Sequence, residues 1–368
     1  MTSSQDLASK DNDFQTKIEQ CKQDGDFLTL TRQHEWSIPQ AFNFQVTHKA
    51  SNAVSQVSVL DTGIIVFEPI GRETNKDIVL SCAVHGNETA PIEICADLIK
   101  QLIKGELFLA QRVLFLFGNP ASMNIAERFV EENLNRLFSG AHSDGDVQNK
   151  ERERAKVLEE AVSNFFTSTD GKDENKQERE RSHYDLHTAI RGSKNDKFAV
   201  YPFRHGQPWK KSQLEFLHAC DVSTILLSHS PTTTFSYFSS NNFGADAFTV
   251  ELGKVMPFGQ NDMTKFEKVR NTLTKLISGE PLDLTPYRAD NFDIFEIDQT
   301  INKESDAFKL HFADDAENFT DYPVGYVLAT DGEIEHKVRT QGEAIIFPNA
   351  NVAIGQRALL TVKPTSIE

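Results

Sequence analysis

The chain has 368 residues, 39% of them hydrophobic, which is enough for a sizeable core and about two domains. Its 38 basic and 54 acidic residues give a formal charge of −16, a field that repels phosphate backbones and argues against nucleic-acid binding. No apolar run approaches the roughly 18 residues that span a bilayer, and the opening MTSSQDLASKDNDFQ lacks the basic and apolar regions of a signal peptide. Neither a membrane nor a nucleic acid is therefore expected as a partner. Four cysteines with no CxxC spacing fit a reducing cytoplasm.

Residues 14–36 read as a short helix and a loop. Short strands follow at 42–46, 57–60 and 64–67, with Asp61-Thr62-Gly63 as a hairpin turn between the last two. The nearly all-apolar run 77–84 reads as a central strand buried on both faces. His85-Gly86-Asn87-Glu88 comes next, then a helix that Asn87 or Thr89 can cap, with Pro91 in its first turn. Ile92, Cys95, Ile99, Leu102 and Ile103 give that helix one apolar face. The run 112–117 is a second buried strand, so the order strand, helix, strand predicts a βαβ unit. Residues 144–182 differ in composition, with 19 of 39 positions charged. Apolar residues at helical spacing over 155–166 predict an exposed amphipathic helix there, followed by a polar loop, TSTDGKDENKQERER. This stretch is given no catalytic role, and residues 168–180 are expected to be dispensable. Strands resume at 183–190, 224–227 and 247–252, with a Ser/Thr-rich loop at 228–240. A helix at 266–277 ends at Gly279-Glu280-Pro281, and short strands split by Pro, Gly and Asn fill the remainder. The expected organisation is an α/β domain over 1–280 and a small β-rich domain over 281–368.

His85-x-x-Glu88 stands where a buried strand runs into a helix, the place where open α/β sheets collect ligands. An imidazole and a carboxylate three residues apart across a tight turn can reach one cation, with Gly86 allowing the turn. Catalytic zinc takes three protein ligands plus a water, and His187, near another strand end, is the best third candidate. The plainer alternative is a solvated histidine beside a capping glutamate. Asp185, two residues before His187 on the same strand face, either orients a ligand or pairs with an arginine. Glu251 is a lone carboxylate in an apolar strand: a general acid or base, or a strand-end residue facing water. Arg128, Asn135, Arg136 and Arg191 can grip a carboxylate or an oxyanion, though each arginine taken singly also suits a surface.

Together HGNETAPIE (85–93), GNPASMN (118–124), NLNRLF (133–138), DLHTAIRGS (185–193), VELGKVMPFGQND (250–262) and VAIGQRA (352–358) resemble the succinylglutamate desuccinylase/aspartoacylase family of the zinc carboxypeptidase-like superfamily. DLHTAIRGS and ELGKxxPFGQND point to its desuccinylase branch. The resemblance implies a zinc hydrolase domain with a mixed sheet between helices, then a β-rich domain. It implies one zinc per chain on His85, Glu88 and His187, a general acid/base at Glu251, and Arg128 beside the scissile carbonyl. It places Asn135 and Arg136 at a substrate carboxylate, with Arg191 as a further candidate. The implied reaction is hydrolysis of N-succinyl-L-glutamate, a small anion, to succinate and L-glutamate, the last step of arginine degradation by succinyl transfer. Two other readings stay open: another N-acyl-amino-acid deacylase or carboxypeptidase of the superfamily, and a non-catalytic zinc- or carboxylate-binding module.

Overall fold

A computed structural model describes residues 4–168 and 179–367. In chain order the elements are α1 (Ser4–Asp24), α2 (Phe27–Gln33), β1 (Phe42–Thr47), β2 (Val54–Asp61), β3 (Ile64–Pro69), β4 (Lys76–Cys82), α3 (Thr89–Ile103), β5 (Arg112–Phe117), α4 (Pro120–Asn124), α5 (Lys150–Thr167) and β6 (Glu180–Ala189). Then come β7 (Phe198–Tyr201), α6 (Lys211–Ala219), β8 (Thr224–Leu227), α7 (Phe235–Phe243), β9 (Asp246–Lys254), α8 (Glu267–Ser278) and β10 (Asp293–Asn302). The last strands are β11 (Lys309–Leu310), β12 (Thr320–Asp321), β13 (Val327–Asp331), β14 (Ile334–Lys337), β15 (Ala344–Ile346) and β16 (Arg357–Pro364). The architecture is mixed α/β with a β-rich C-terminal part. Among the described residues no helix is long and apolar enough to cross a membrane.

The chain forms two compact units. One comprises Met1–His187, Thr232–Ala247 and Met256–Asp283; the other comprises Thr188–Pro231, Phe248–Val255 and Leu284–Glu368. The strands of the first unit run in the order β1-β2-β3-β5-β4-β6. β1 to β3 form an antiparallel meander, its second turn made by Thr62 and Gly63, the latter at φ +63. β4 lies between β5 and β6 and is parallel to both, so β4-α3-β5 is the expected βαβ unit. β4 is buried on both faces beyond Lys76, as its unbroken apolar run requires.

Against this sheet pack α5 and α7. Ile64, Val66, Val79, Leu114 and Leu116 share one core with Ala155, Leu158, Val162, Phe165 and Phe166 of α5 and Phe235 and Phe238 of α7. Helix α5 therefore differs from the exposed helix expected of a charged stretch. Its solvent face carries Glu153, Lys156 and Glu160, while even Glu151 and Arg154 are buried. The apolar residues read at helical spacing over 155–166 face the sheet and are buried against it. Helix α7 replaces part of the Ser/Thr-rich loop for a similar reason. Phe235, Tyr237 and Phe238 are buried, and Gly244 ends the helix at φ 62.

The polar loop expected after α5 falls largely on 169–178, outside the described residues. The residues on either side of it are anchored. Buried Asp77 takes Arg112 Nη1 at 2.7 Å and Arg179 Nε at 2.9 Å, and Arg112 Nη2 donates to Ser168 Oγ at 2.7 Å. Arg179 is thus no part of a dispensable loop. Replacing only 169–178 by a short Gly/Ser link should leave kcat/KM within about twofold, because loop length changes closure entropy slowly. Arg179→Ala should lower Tm by several degrees, since it leaves the buried Asp77 carboxylate half-paired. Kinetics and thermal melts of the two variants check this pair of outcomes.

In the second unit the order is β9-β7-β8-β10-β16-β15-β12, with β11-β13-β14 as a separate small sheet. β7, β8 and β10 are parallel, and the other neighbours are antiparallel. Phe198, Leu226, Phe319, Ile346, Leu360 and Val362 form one of its cores; Ile301, Phe308, Leu328, Ile345 and Leu359 form another.

Candidate metal centre

The turn after β4 is built by close approach. Ala83 lies in the left-handed region at φ 55, an uncommon conformation that swings the chain out of the strand just before His85. Gly86 does not need a positive φ. A Cβ there would lie 2.2 Å from the Met123 nitrogen, so only glycine lets the turn rest on α4. Glu88 is the N-cap residue of α3, but its side chain makes no capping bond, and neither Asn87 nor Thr89 takes that place. The start of α3 is instead tied to the 256–261 segment. Thr89 Oγ1 donates to the Met256 carbonyl at 2.6 Å, and Asn261 Nδ2 donates back to Thr89 Oγ1 at 2.7 Å.

The Glu88 carboxylate turns inward. Oε1 lies 2.8 Å from His85 Nδ1 and Oε2 lies 2.9 Å from His187 Nδ1. One ligand atom from each of His85, Glu88 and His187 lies within 4.8 Å of the others, and all three residues are buried. The solvated histidine with a capping glutamate is therefore not what forms here.

Both imidazoles are held by their far nitrogens. His187 Nε2 donates to Asp185 Oδ2 at 2.9 Å, and His85 Nε2 donates to Asn133 Oδ1 at 3.0 Å. Each bond fixes the tautomer, so in the neutral ring the lone pair sits on Nδ1, aimed at the cluster. This donor set fits a divalent cation of the zinc type: two imidazoles and a carboxylate, with each ring oriented by an outer acceptor. Asp185 is not paired with an arginine. It is opposite Ser81 across the parallel ladder, and Ser81 Oγ donates to Asp185 Oδ1. His183, Asp185 and His187 alternate along β6 and share one face. His183 Nε2 lies 2.8 Å from Ser81 Oγ, and its Nδ1 lies 2.7 Å from Ser239 Oγ.

The electrostatics follow from burial and neighbours. Burial, with help from the Arg128 charge, pushes His85 down to about 4 despite Glu88, so His85 is neutral at pH 7. Burial pushes His183 down to about 4, against the pull of Asp185 and with a smaller push from His187. For His187 burial also acts downward, but Asp185 and Glu88 on its two sides outweigh it and raise it well above the ordinary histidine value. Burial would raise the Glu88 carboxyl, yet His85 and His187 hold it well below the usual range.

The remaining candidates sit as follows. Arg128 Nη1 donates to Glu88 Oε1 at 2.9 Å, and its side chain is 31% exposed, so it bridges the cluster and solvent. Asn135 is buried, its Oδ1 accepting from the Phe235 backbone N–H at 3.1 Å. Arg136 is exposed, and its Nη1 donates to the Asn135 carbonyl at 2.8 Å. Arg191 Nη1 donates to the Asp314 and Ala316 carbonyls. Glu251 is buried in β9 between Val250 and Leu252, in register with Phe198 of β7, so it does not face water. Asn133, Ser81 and His183 were not singled out from the sequence. The i, i+2, i+4 pattern His-x-Asp-x-His was the available signal for His183.

Two family models match the chain: the Succinylglutamate desuccinylase/Aspartoacylase catalytic domain over residues 74–277, and the AstE/AspA barrel-sandwich hybrid domain over 290–365. The chain belongs to the succinylglutamate desuccinylase/aspartoacylase family. It is 51% identical over 347 residues to the succinylglutamate desuccinylase of Shewanella pealeana, covering 94% of this chain and 97% of that one. Against the protein of the same name from Idiomarina loihiensis it is 52% identical over 337 residues, covering 92% and 95%. The crystal structure of the succinylglutamate desuccinylase from Chromobacterium violaceum matches with a TM-score of 0.78 and 35% identity, covering 93% of this chain and 98% of that one. The one from Vibrio cholerae matches with a TM-score of 0.80 and 31% identity, covering 92% and 94%. The donor cluster of His85, Glu88 and His187 lies within the matched catalytic domain.

Proposed function

We propose that this chain hydrolyses N-succinyl-L-glutamate to succinate and L-glutamate, with one zinc ion held by His85, Glu88 and His187. The observation that carries the reading is the cluster itself: two buried imidazoles, each fixed with Nδ1 toward one carboxylate, in a chain 51% identical to a succinylglutamate desuccinylase. A bound zinc would supply Lewis acidity, lowering the pKa of a water and polarising an amide carbonyl.

The protein's own groups then do the rest. Glu251 accepts a proton from the attacking water and returns it to the departing glutamate nitrogen, so the C–N bond breaks while a C–O bond forms. Its place in β9 shields that exchange from bulk water, since Glu251 is buried. Arg128 faces the oxygen that gains charge. Asn135 and Arg136 serve a substrate carboxylate, and Arg191 serves another. Asp185 and Asn133 hold the two imidazoles in their liganding tautomers. We assign residues 1–280 as the hydrolase domain and 281–368 as a β-rich domain, with the family models separating between 277 and 290. A cytoplasmic location accords with the cysteine usage. Side-by-side turnover of succinyl-, acetyl- and peptidyl-glutamate tests the substrate: preference for an acetyl or peptidyl substrate would assign the site to another branch of the family.

The substrate carries three carboxylates and the chain a formal −16, so binding must rest on a local positive pocket. At about 0.15 M salt the Debye length is about 8 Å, which screens distant surface acids. Added salt should therefore leave kcat/KM level or raise it slightly. Arg136→Lys should lower kcat/KM by an amount on the order of 1.5–3 kcal/mol, since an ammonium keeps the charge but loses the planar fork. Steady-state kinetics of both proteins across a salt series checks the pair. A steep fall of wild-type kcat/KM with salt, or a lysine variant equal to wild type, contradicts the pocket.

A further inference from the structure

We propose that Glu151, in the first turn of α5, is a positioning residue whose buried carboxylate fixes the segment carrying Arg128 and Asn133 to the donor cluster. Glu151 is 0% exposed, and its Oε2 has no hydrogen-bond partner among the described residues. The Arg154 guanidinium is engaged by the carbonyls of Thr62, Phe117 and Gly118. Glu151 Oε1 instead accepts the backbone N–H of Val130 at 2.7 Å, that of Glu131 at 3.2 Å and Asn119 Nδ2 at 3.2 Å. Its neighbours extend the grip by one residue. Arg152 binds Glu132 through Nε at 2.7 Å and Nη2 at 2.9 Å, and Asn149 Nδ2 adds a bond of 2.8 Å to the same carboxylate. Three successive residues, 130 to 132, are thus held by the start of one helix.

The held segment lies between two residues that touch the cluster. Arg128 meets Glu88 on one side and Asn133 meets His85 on the other. Apart from the Gly86 N–H, which donates to the Arg128 carbonyl at 3.3 Å, it has little apolar anchorage, because Phe129 and Val130 leave 38% and 42% of their surface exposed. Apolar burial, the usual anchor of a loop, is therefore weak here, and the polar clamp takes its place. The clamp itself is rigid, since α5 is set in the core by Leu158, Val162, Phe165 and Phe166. The carboxylate is buried here with Oε1 taking two main-chain N–H groups and an amide while Oε2 has no hydrogen-bond partner among the described residues, so its desolvation cost is only partly offset.

The kinetic arm of the test rests on the desuccinylase reading; the exchange arm does not. Glu151→Ala should lower kcat/KM for N-succinyl-L-glutamate roughly ten- to a hundredfold, the usual result of a small displacement of a catalytic group. Glu151→Gln keeps the accepting oxygen and should stay within about threefold of wild type. In an Arg128→Ala background the effect of Glu151→Ala should shrink severalfold, because both changes remove one function. In hydrogen exchange the amides of Val130 and Glu131 should be protected in wild type and released in Glu151→Ala. A Glu151→Ala protein with lowered Tm but wild-type kcat/KM, full additivity with Arg128→Ala, or unchanged exchange at 130–131 would each overturn the proposal. If Glu151→Ala does not fold, Arg152→Met, which frees Glu132, is read by kcat/KM and by its coupling to Arg128→Ala. Wild-type protein that releases no succinate would count against the substrate assignment, and exchange would then decide the clamp alone.

Discussion

Alanine at His187 should strip the protein of zinc and of turnover together. His187 supplies one of three donors, and its removal also leaves Glu88 and Asp185 buried without the imidazole between them. Zinc affinity should fall by more than the 10- to 100-fold typical of losing an outer hydrogen-bond partner. Asp185→Asn supplies that milder comparison in the same protein, because it weakens the orientation of His187 while keeping all three donors. Equilibrium zinc competition against a chromophoric chelator, with circular dichroism to confirm folding, ranks the three proteins. The expected order of affinity is wild type, Asp185→Asn, His187→Ala. Wild-type zinc content in His187→Ala would remove that residue from the ligand set.

Glutamine at Glu251 should do the opposite. The protein should keep its full zinc content while kcat falls by about 10²–10⁴, the range over which a positioned proton-transfer group acts. The amide is nearly isosteric with the carboxylate and can neither accept nor return the proton. Zinc analysis and single-turnover succinate release on one preparation separate the two effects. Loss of metal together with activity would mean that Glu251 is a ligand, and the division of roles between it and the His85-Glu88-His187 cluster would be wrong.

How much of this was legible in the sequence depended on whether a signal was local. The strand-turn-helix around His85-x-x-Glu88 was readable because both donors lie within one turn and the flanking runs are uniformly apolar. His187 became the third donor through a strand-end position and a family motif, since no spacing rule links it to residue 85. The choice among Asn133, Asn135 and Arg136 was not readable. A single 3₁₀ turn over Leu134–Arg136 decides which side chain reaches His85 and which turns to the Phe235 backbone. Glu151 was hidden because the charge count of 144–182 averages over a helix with one buried face. Gly86 was readable as the residue that allows the turn, but the reason, room beside the Met123 nitrogen, was not, since α4 meets it only through the fold. The strained residue is Ala83, whose identity carries no hint of it.

The most direct test of the account is a zinc titration of chelator-stripped wild-type protein with succinate release from N-succinyl-L-glutamate as the readout. The account predicts no release without metal, a linear rise with added zinc, and a break at about one equivalent per chain. Equal succinate release from the stripped protein, or zinc that saturates the site with no release at any loading, would contradict it.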